Sequence, residues 1–191
     1  MAFLFSLAEL ANLVIMTLVL GYIFKDHFAK PADDNYDPIK SFSKHTGYEN
    51  FWYAAAVVAP AIVLHEMGHK FVAMAFHQQA IFYASMTGLA LGILLKLLNF
   101  GFIVFVPGFV SILGNATPLQ HSLIAFAGPG TNLLLWLISF ILLKTNSVKG
   151  KIIPYLALTK NINLFLFIFN MIPIPPFDGY SVFSGIIQTI F

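Results

Sequence analysis

Long apolar runs separated by polar stretches dominate the chain, and four of these runs are long enough to cross a bilayer. About twenty consecutive apolar residues are needed for a helix to span the hydrocarbon core. The pattern predicts four transmembrane helices, at Phe3–Phe24, Phe51–Phe76, Ser122–Leu143 and Ile152–Ile172. The first run lacks the basic start and the short apolar segment of a secretory signal, so we interpret it as a span.

The segments that separate the first three spans differ in character. Lys25–Asn50 contains four Lys and five acidic residues, which predicts a solvated loop. Thr87–Leu98 is apolar but short for a span. Phe100–Val106 and Phe109–Leu113 are rich in β-branched and aromatic residues and flank the turn signal Pro107-Gly108. We interpret residues 82–113 as a re-entrant helix followed by a short β-hairpin, and one further kinked transmembrane helix is the alternative.

The chain leaves the last span through a proline-rich break. Pro173, Pro175 and Pro176 cannot continue a helix, and Ser181–Phe191 then predicts a short C-terminal helix. The predicted fold class is therefore an all-α polytopic membrane protein. It has about four transmembrane helices, the re-entrant helix and hairpin segment, and the short C-terminal helix, in a single membrane-embedded domain over residues 1–191.

Composition supports a protein that is surrounded by a lipid bilayer. Hydrophobic residues make up 59% of the chain and charged residues only 9%, against about 25% charged residues in ordinary soluble domains. The basic residues are all Lys, and the net charge of +2 is spread over several loops, which argues against nucleic acid as a partner. The chain has no Cys, which excludes disulfides and thiolate chemistry.

One cluster of ionisable residues lies inside the second predicted span, in the sequence His65-Glu66-Met67-Gly68-His69. Positions i and i+4 share a helix face, so the two imidazoles point the same way. That spacing allows both to bind one metal ion, with Glu66 beside them as a base. A charge in the bilayer centre costs about 2.5–3.5 kcal/mol on insertion scales. We therefore favour a functional site over a structural polar cluster, which is the alternative.

A catalytic zinc ion typically has three protein ligands and an open fourth position. His77 lies more than two turns beyond His69 and cannot bind the same ion. His121, at a predicted helix start, stays open as a third ligand. Asp178 is the best candidate, because it offers an anionic oxygen next to Gly179 in the broken C-terminal helix. Zinc would lower the pKa of a bound water and Glu66 would take its proton, which predicts peptide-bond hydrolysis.

Three motifs together resemble the site-2 protease family of intramembrane zinc metalloproteases. They occur in the family's order across most of residues 51–185, as His65-Glu66-Met67-Gly68-His69, Gly128-Pro129 followed by Asn132, and Asn170-x-x-Pro173-x-Pro175-x-x-Asp178-Gly179. The resemblance implies one Zn²⁺ ion held by His65, His69 and Asp178, with Glu66 as the base. It also implies that Asn132 and Asn170 position the substrate or the site, and that the catalytic core covers about residues 51–185.

The resemblance also carries expectations about biology. It implies regulated intramembrane proteolysis of membrane proteins that contain a transmembrane helix, in the cell membrane. It places the N-terminus and active site toward the cytosol, whereas the Lys residues of Lys25–Lys44 and Lys144–Lys151 favour the reverse by the positive-inside rule, so orientation stays open. Phe177 replaces the family's usual Leu. The competing functions are metal binding or transport without hydrolysis, and an inactive homologue that binds transmembrane helices.

Overall fold

A computed structural model describes residues 4–28, 47–100, 106–150 and 152–191. Within these residues the chain forms six helices and one two-stranded sheet. In chain order the elements are α1 Leu7–Phe24, α2 Gly47–Ala75, β1 Gln79–Ala84, α3 Met86–Leu97, β2 Gly108–Leu113, α4 Pro118–Lys144, α5 Ile152–Asn170 and α6 Asp178–Ile190.

The helices α1, α2, α4 and α5 are long and apolar enough to cross a membrane. They correspond to the four predicted spans, which confirms an all-α multi-pass membrane protein. The main difference lies in the predicted loop, because α2 begins at Gly47 and therefore includes residues 47–50. Residues 29–46 of that loop lie outside the described part of the chain.

The segment between α2 and α4 contains a short helix and a strand, as predicted, but the strand has an unforeseen partner. Helix α3 has 12 residues, which corresponds to about 18 Å and is too short for a core of about 30 Å. Strand β2 confirms the predicted return strand, yet it pairs with β1, which precedes α3. The proposed partner Phe100–Val106 lies largely outside the described residues. In β1 burial alternates, with Ala80 and Phe82 buried, as a strand with one covered face requires.

Contacts divide the chain into two compact units, and the first consists of Met1–Pro60 and Ala84–Gly108. Helix α1 begins with a capping box in which Ser6 accepts from the Glu9 amide and Glu9 accepts from the Ser6 amide. Gly21 allows close packing on α2, because a Cβ there would lie 2.9 Å from the Cβ of Ala55.

Lys96 connects α3 to the end of α1 inside this first unit. Its Nζ donates to the Ile23 carbonyl at 3.2 Å and to the Asp26 carboxylate at 2.6 Å. The hydrogen bond from Lys96 holds the pKa of Asp26 below its ordinary value. The C-terminal carbonyl end of α1 thereby gains a cation, which the helix dipole favours.

The second unit consists of Ala61–Tyr83 and Phe109–Phe191, so it contains the C-terminal part of α2, most of the sheet, and α4 to α6. Its apolar core joins Ala73 of α2, Ala80 of β1 and Ile124 of α4. Gly68 brings α2 and α4 close together, because a Cβ on this residue would lie 2.5 Å from the Ala127 carbonyl oxygen. A larger residue at position 68 would therefore push the two helices apart.

Helix α6 packs on the beginning of α4. The Ser122 hydroxyl donates to the Val182 carbonyl at 2.8 Å, and a Cβ on Gly185 would lie 2.6 Å from the Pro118 carbonyl oxygen. Helix α4 itself begins with a capping box between Thr117 and Gln120. These contacts set the position at which α6 starts.

Candidate metal centre

Three side chains from two helices converge in the second unit. His65 and His69 lie one turn apart on α2, and Asp178 is the first residue of α6. The Nε2 atoms of the two imidazoles are 3.1 Å apart. The Asp178 Oδ2 atom lies 3.0 Å from His65 Nε2 and 3.4 Å from His69 Nε2. Among the described residues, this is the group of His and acidic ligand atoms close enough to hold one metal ion.

The size of this triangle fits a zinc ion. Zinc binds imidazole nitrogen and carboxylate oxygen at about 2.0–2.2 Å, so tetrahedral ligand atoms lie about 3.3 Å apart. The three observed separations fall between 3.0 and 3.4 Å. Gly128 of α4 leaves space beside the nitrogens, because a Cβ there would lie 2.3 Å from His69 Nε2 and 2.6 Å from His65 Nε2.

The outer nitrogens of both imidazoles meet hydrogen-bond acceptors. His69 Nδ1 lies 2.8 Å from the Ile124 carbonyl oxygen, which can only accept, so Nδ1 of His69 carries a hydrogen. His65 Nδ1 lies 2.6 Å from Asn132 Oδ1. The Asn132 amide is oriented by its nitrogen, which donates to the Ala61 carbonyl at 3.0 Å. Both rings are therefore held with hydrogen on Nδ1.

This arrangement determines the chemistry at the centre of the triangle. A neutral imidazole with hydrogen on Nδ1 has a lone pair on Nε2. Two such lone pairs and one carboxylate oxygen converge in a mostly buried space, where they repel one another unless a cation lies between them. A proton or a metal cation satisfies that requirement, and an imidazole whose other nitrogen donates to a carbonyl is typical of metal ligands.

The chain break before α6 places Asp178 at the triangle. Residues 171–177 leave the helical path after α5, and Phe177 occupies the N-cap position of α6. Phe177 packs edge to face on Phe169, with ring centroids 4.6 Å apart. A Cβ on Gly179 would lie 2.4 Å from the Met171 carbonyl oxygen. The tight turn therefore needs glycine next to Asp178, and the carboxylate gains favourable helix-dipole interaction at the N-terminus of α6.

The remaining predicted residues have different surroundings. Glu66 is buried on α2 next to His65, and Asn132 lies beside His65 as described. Asn170 donates to the Leu166 carbonyl in its own helix at 3.0 Å, so its positioning role stays a prediction. His121 lines a separate cavity with Ser181 and Gln188, away from the three grouped ligand atoms.

Sequence reasoning missed three contributors to the centre. They are the Ile124 carbonyl, the missing side chain of Gly128, and Asn163 of α5, whose Oδ1 accepts from Asn132 Nδ2 at 2.8 Å. Asn163 offered one signal, namely a polar amide within an apolar span. A backbone carbonyl carries no signal in the sequence, and Gly128 was named only in the motif Gly128-Pro129 followed by Asn132, without a role at the metal centre.

Two proteins whose names give an activity are similar to this chain. One is "Putative zinc metalloprotease MJ0611" of Methanocaldococcus jannaschii, 33% identical over 187 residues, with 94% of this chain and 85% of that protein covered. The other is "Putative zinc metalloprotease YwhC" of Bacillus subtilis, 28% identical over 158 residues, with 71% of this chain and 69% of that protein covered. No family model and no solved structure matches the chain.

Proposed function

This chain belongs to the zinc metalloprotease family of these relatives, and from that premise we propose that it is an intramembrane zinc endopeptidase of the site-2 protease type. The observation that carries the proposal is the triangle of His65, His69 and Asp178 ligand atoms. Two of its three residues lie on α2, one of the helices that are long and apolar enough to span a bilayer. A hydrolytic centre attached to such a helix has membrane-embedded peptide bonds as its natural substrates.

Each residue of the centre has a task in this proposal. His65, His69 and Asp178 would hold one Zn²⁺ ion, which when bound polarises a carbonyl and lowers the pKa of water. Glu66 accepts the proton of the attacking water and delivers it to the leaving amine. Asn132 holds the His65 ring with hydrogen on Nδ1, and Asn170 positions the substrate.

The proposed substrate is a membrane protein that contains a transmembrane helix, in the cell membrane. The carbonyl groups of such a helix are hydrogen-bonded within the helix and are hidden from water. The substrate helix must therefore unwind locally before a carbonyl can enter the centre. This requirement favours cleavage in or near transmembrane segments, as in regulated intramembrane proteolysis.

The test compares wild-type protein with Glu66→Gln in liposomes that contain a single-span reporter substrate. Gln keeps the size of Glu66 but cannot accept a proton. We expect about one zinc ion per chain in both proteins and a loss of cleavage by about 10²- to 10⁴-fold in the variant. Glu49→Gln is the matched control, because Glu49 is an exposed carboxylate in the first turn of the same helix.

Two results would contradict the proposal. If cleavage survives Glu66→Gln, Glu66 is not the base. If cleavage stays complete after the metal has been chelated, the reaction does not require a metal. Metal uptake into the liposomes without any cleavage would instead favour a transporter. The zinc content of each preparation, measured by atomic absorption, shows whether the variant has lost its metal or only its proton acceptor.

A further inference from the structure

We propose that Asn163 is a positioning residue that fixes the tautomer of His65 by acting through Asn132. The inference concerns the metal site of the proposed function, and the role that it gives Asn163 in metal binding rests on that proposal. Asn163 contributes none of the three ligand atoms. It is fully buried in α5, as Asn132 is in α4, so neither amide can exchange its partners for water.

A continuous series of hydrogen bonds joins three helices. Asn163 Nδ2 donates to the Thr159 carbonyl at 2.8 Å. Asn163 Oδ1 accepts from Asn132 Nδ2 at 2.8 Å, and Asn132 Oδ1 faces His65 Nδ1 at 2.6 Å. The series therefore runs from a backbone carbonyl of α5, through two amides, to the outer nitrogen of a proposed zinc ligand.

The direction of the series is fixed at both amides. The Thr159 and Ala61 carbonyls can only accept, so each amide must turn its nitrogen toward one of them. If Asn132 rotated by half a turn, its oxygen would face both the Ala61 carbonyl and Asn163 Oδ1, and its nitrogen would face the hydrogen on His65 Nδ1. The orientation seen here satisfies every one of these groups.

Asn163 adds to the preference for this orientation of Asn132, which the Ala61 carbonyl also favours. Without Asn163, one N–H of Asn132 has no acceptor in a buried site, and the amide has less reason to keep its oxygen toward His65. The His65 ring could then place its hydrogen on Nε2. That hydrogen would point from His65 Nε2 toward Asp178 Oδ2, which lies 3.0 Å from Nε2, and would occupy the space between the ligand atoms where a metal has to bind.

The experiment uses three variants of the full-length chain. Asn163→Leu removes the acceptor while it keeps the branching at Cγ and the number of side-chain heavy atoms. Asn163→Asp keeps an acceptor oxygen for Asn132 in either protonation state. Asn161→Leu makes the same chemical change two residues earlier on α5, at an exposed position, and reports the effect of an added Leu on this helix.

The first measurement is the ¹⁵N NMR spectrum of histidine-labelled, metal-free protein in detergent, with the His65 signals assigned from a His65→Gln sample. In the wild type, Asn163→Asp and Asn161→Leu we expect hydrogen on Nδ1. In Asn163→Leu we expect loss of that signature. This readout requires neither zinc nor catalysis, so it separates the present inference from the proposed function.

The second measurement is zinc affinity by competition with a chelator. Loss of an outer hydrogen-bond partner typically weakens metal binding by 10- to 100-fold, and we expect that loss in Asn163→Leu but not in Asn163→Asp. In an Asn132→Ala background, Asn163→Leu should cause little further loss, because it acts through Asn132.

Three results would overturn the inference. One is an unchanged His65 tautomer in Asn163→Leu, another is an equal loss of affinity in Asn161→Leu, and the third is an undiminished effect of Asn163→Leu in the Asn132→Ala background. If the wild type binds no zinc, the proposed function fails, and the tautomer measurement still decides the role of Asn163.

Discussion

Gly128→Ala tests most directly whether the space beside the two imidazoles belongs to a metal site. The substitution adds one methyl group on the face of α4 that approaches α2. That methyl carbon would lie 2.3 Å from His69 Nε2 and 2.6 Å from His65 Nε2. The change leaves all three proposed ligands, Glu66 and Asn132 chemically intact.

The magnitude follows from these distances. Ordinary contact with a Cβ begins at 3.4 Å, so His69 Nε2 must move by about 1.1 Å from its 2.3 Å position. Metal–ligand distances vary by only about 0.2 Å, so this shift removes His69 from the ligand set. If helix α4 retreated instead, the close contact between Ala127 and Gly68 would be lost. Loss of an outer hydrogen-bond partner alone weakens metal binding by about 10- to 100-fold, and we expect displacement of a ligand to lower zinc affinity at least as much.

The assay is zinc competition with a chelator in detergent, combined with a thermal unfolding curve of the metal-free protein. Gly130→Ala is the matched control, because it makes the same change two residues further along α4. Its Cβ would meet the Phe126 ring of the same helix at 3.2 Å, and Phe126 is exposed and free to adjust. Ala in place of Gly in a helix is favourable by about 0.5–1 kcal/mol, so the control should unfold at an equal or higher temperature.

Wild-type zinc affinity in Gly128→Ala would refute the reasoning, since the ligand triangle could then not be where the metal binds. An equal loss of affinity in Gly130→Ala would refute it too, because the effect would come from altering the helix and not from filling the space. A selective loss in Gly128→Ala supports the geometry of the triangle.

Two perturbations test the packing around the helix ends. Gly185→Leu should displace α6 from the Pro118 carbonyl, move Asp178 and lower zinc affinity at least about tenfold. The control Ile187→Leu, at an exposed position of the same helix, should leave zinc affinity unchanged. Unchanged affinity in Gly185→Leu would contradict this expectation. Asp26→Asn removes the ion pair with Lys96, whose hydrogen bond lowers the pKa of Asp26 from 3.8. The pair therefore stabilises the fold above that value and loses its effect as pH falls through the lower folded pKa. Because the carboxylate is 65% exposed, the variant should be less stable at pH 7 by at most about 1 kcal/mol, which thermal unfolding measures. A stability difference that does not shrink as the pH falls below 3.8 would contradict the assignment.

The sequence alone predicted the spans because their cause is local. A helix in lipid must be apolar over its own length, so Ile152–Ile172 could be identified without its neighbours, and the structure ends this helix at Asn170. The pairing of His65 with His69 is also local, since it follows from the helical repeat. Strand β1 was missed because Gln79–Ala84 is short, and its pairing depends on a strand that begins 24 residues after β1 ends.

The completion of the centre depends on tertiary structure. Asp178 is separated from His65 by 113 residues, and the sequence could favour it over His121 only on chemical grounds. The packing of α6 on α4 brings its carboxylate to 3.0 Å from the His65 ring. Asn163 and Gly128 contribute to the centre only because helix packing places Asn163 of α5 beside Asn132 and Gly128 of α4 beside the two imidazoles.

The physical reason for this division is the range of the interactions. Hydropathy and helical periodicity act between residues that are adjacent or one turn apart, so a reader of the sequence can sum them. The tautomer of His65 instead depends on hydrogen bonds that cross from α2 to α4 and from α4 to α5. The sequence determined which residues could bind a metal, and only the packing of the helices decided that their lone pairs meet at one point.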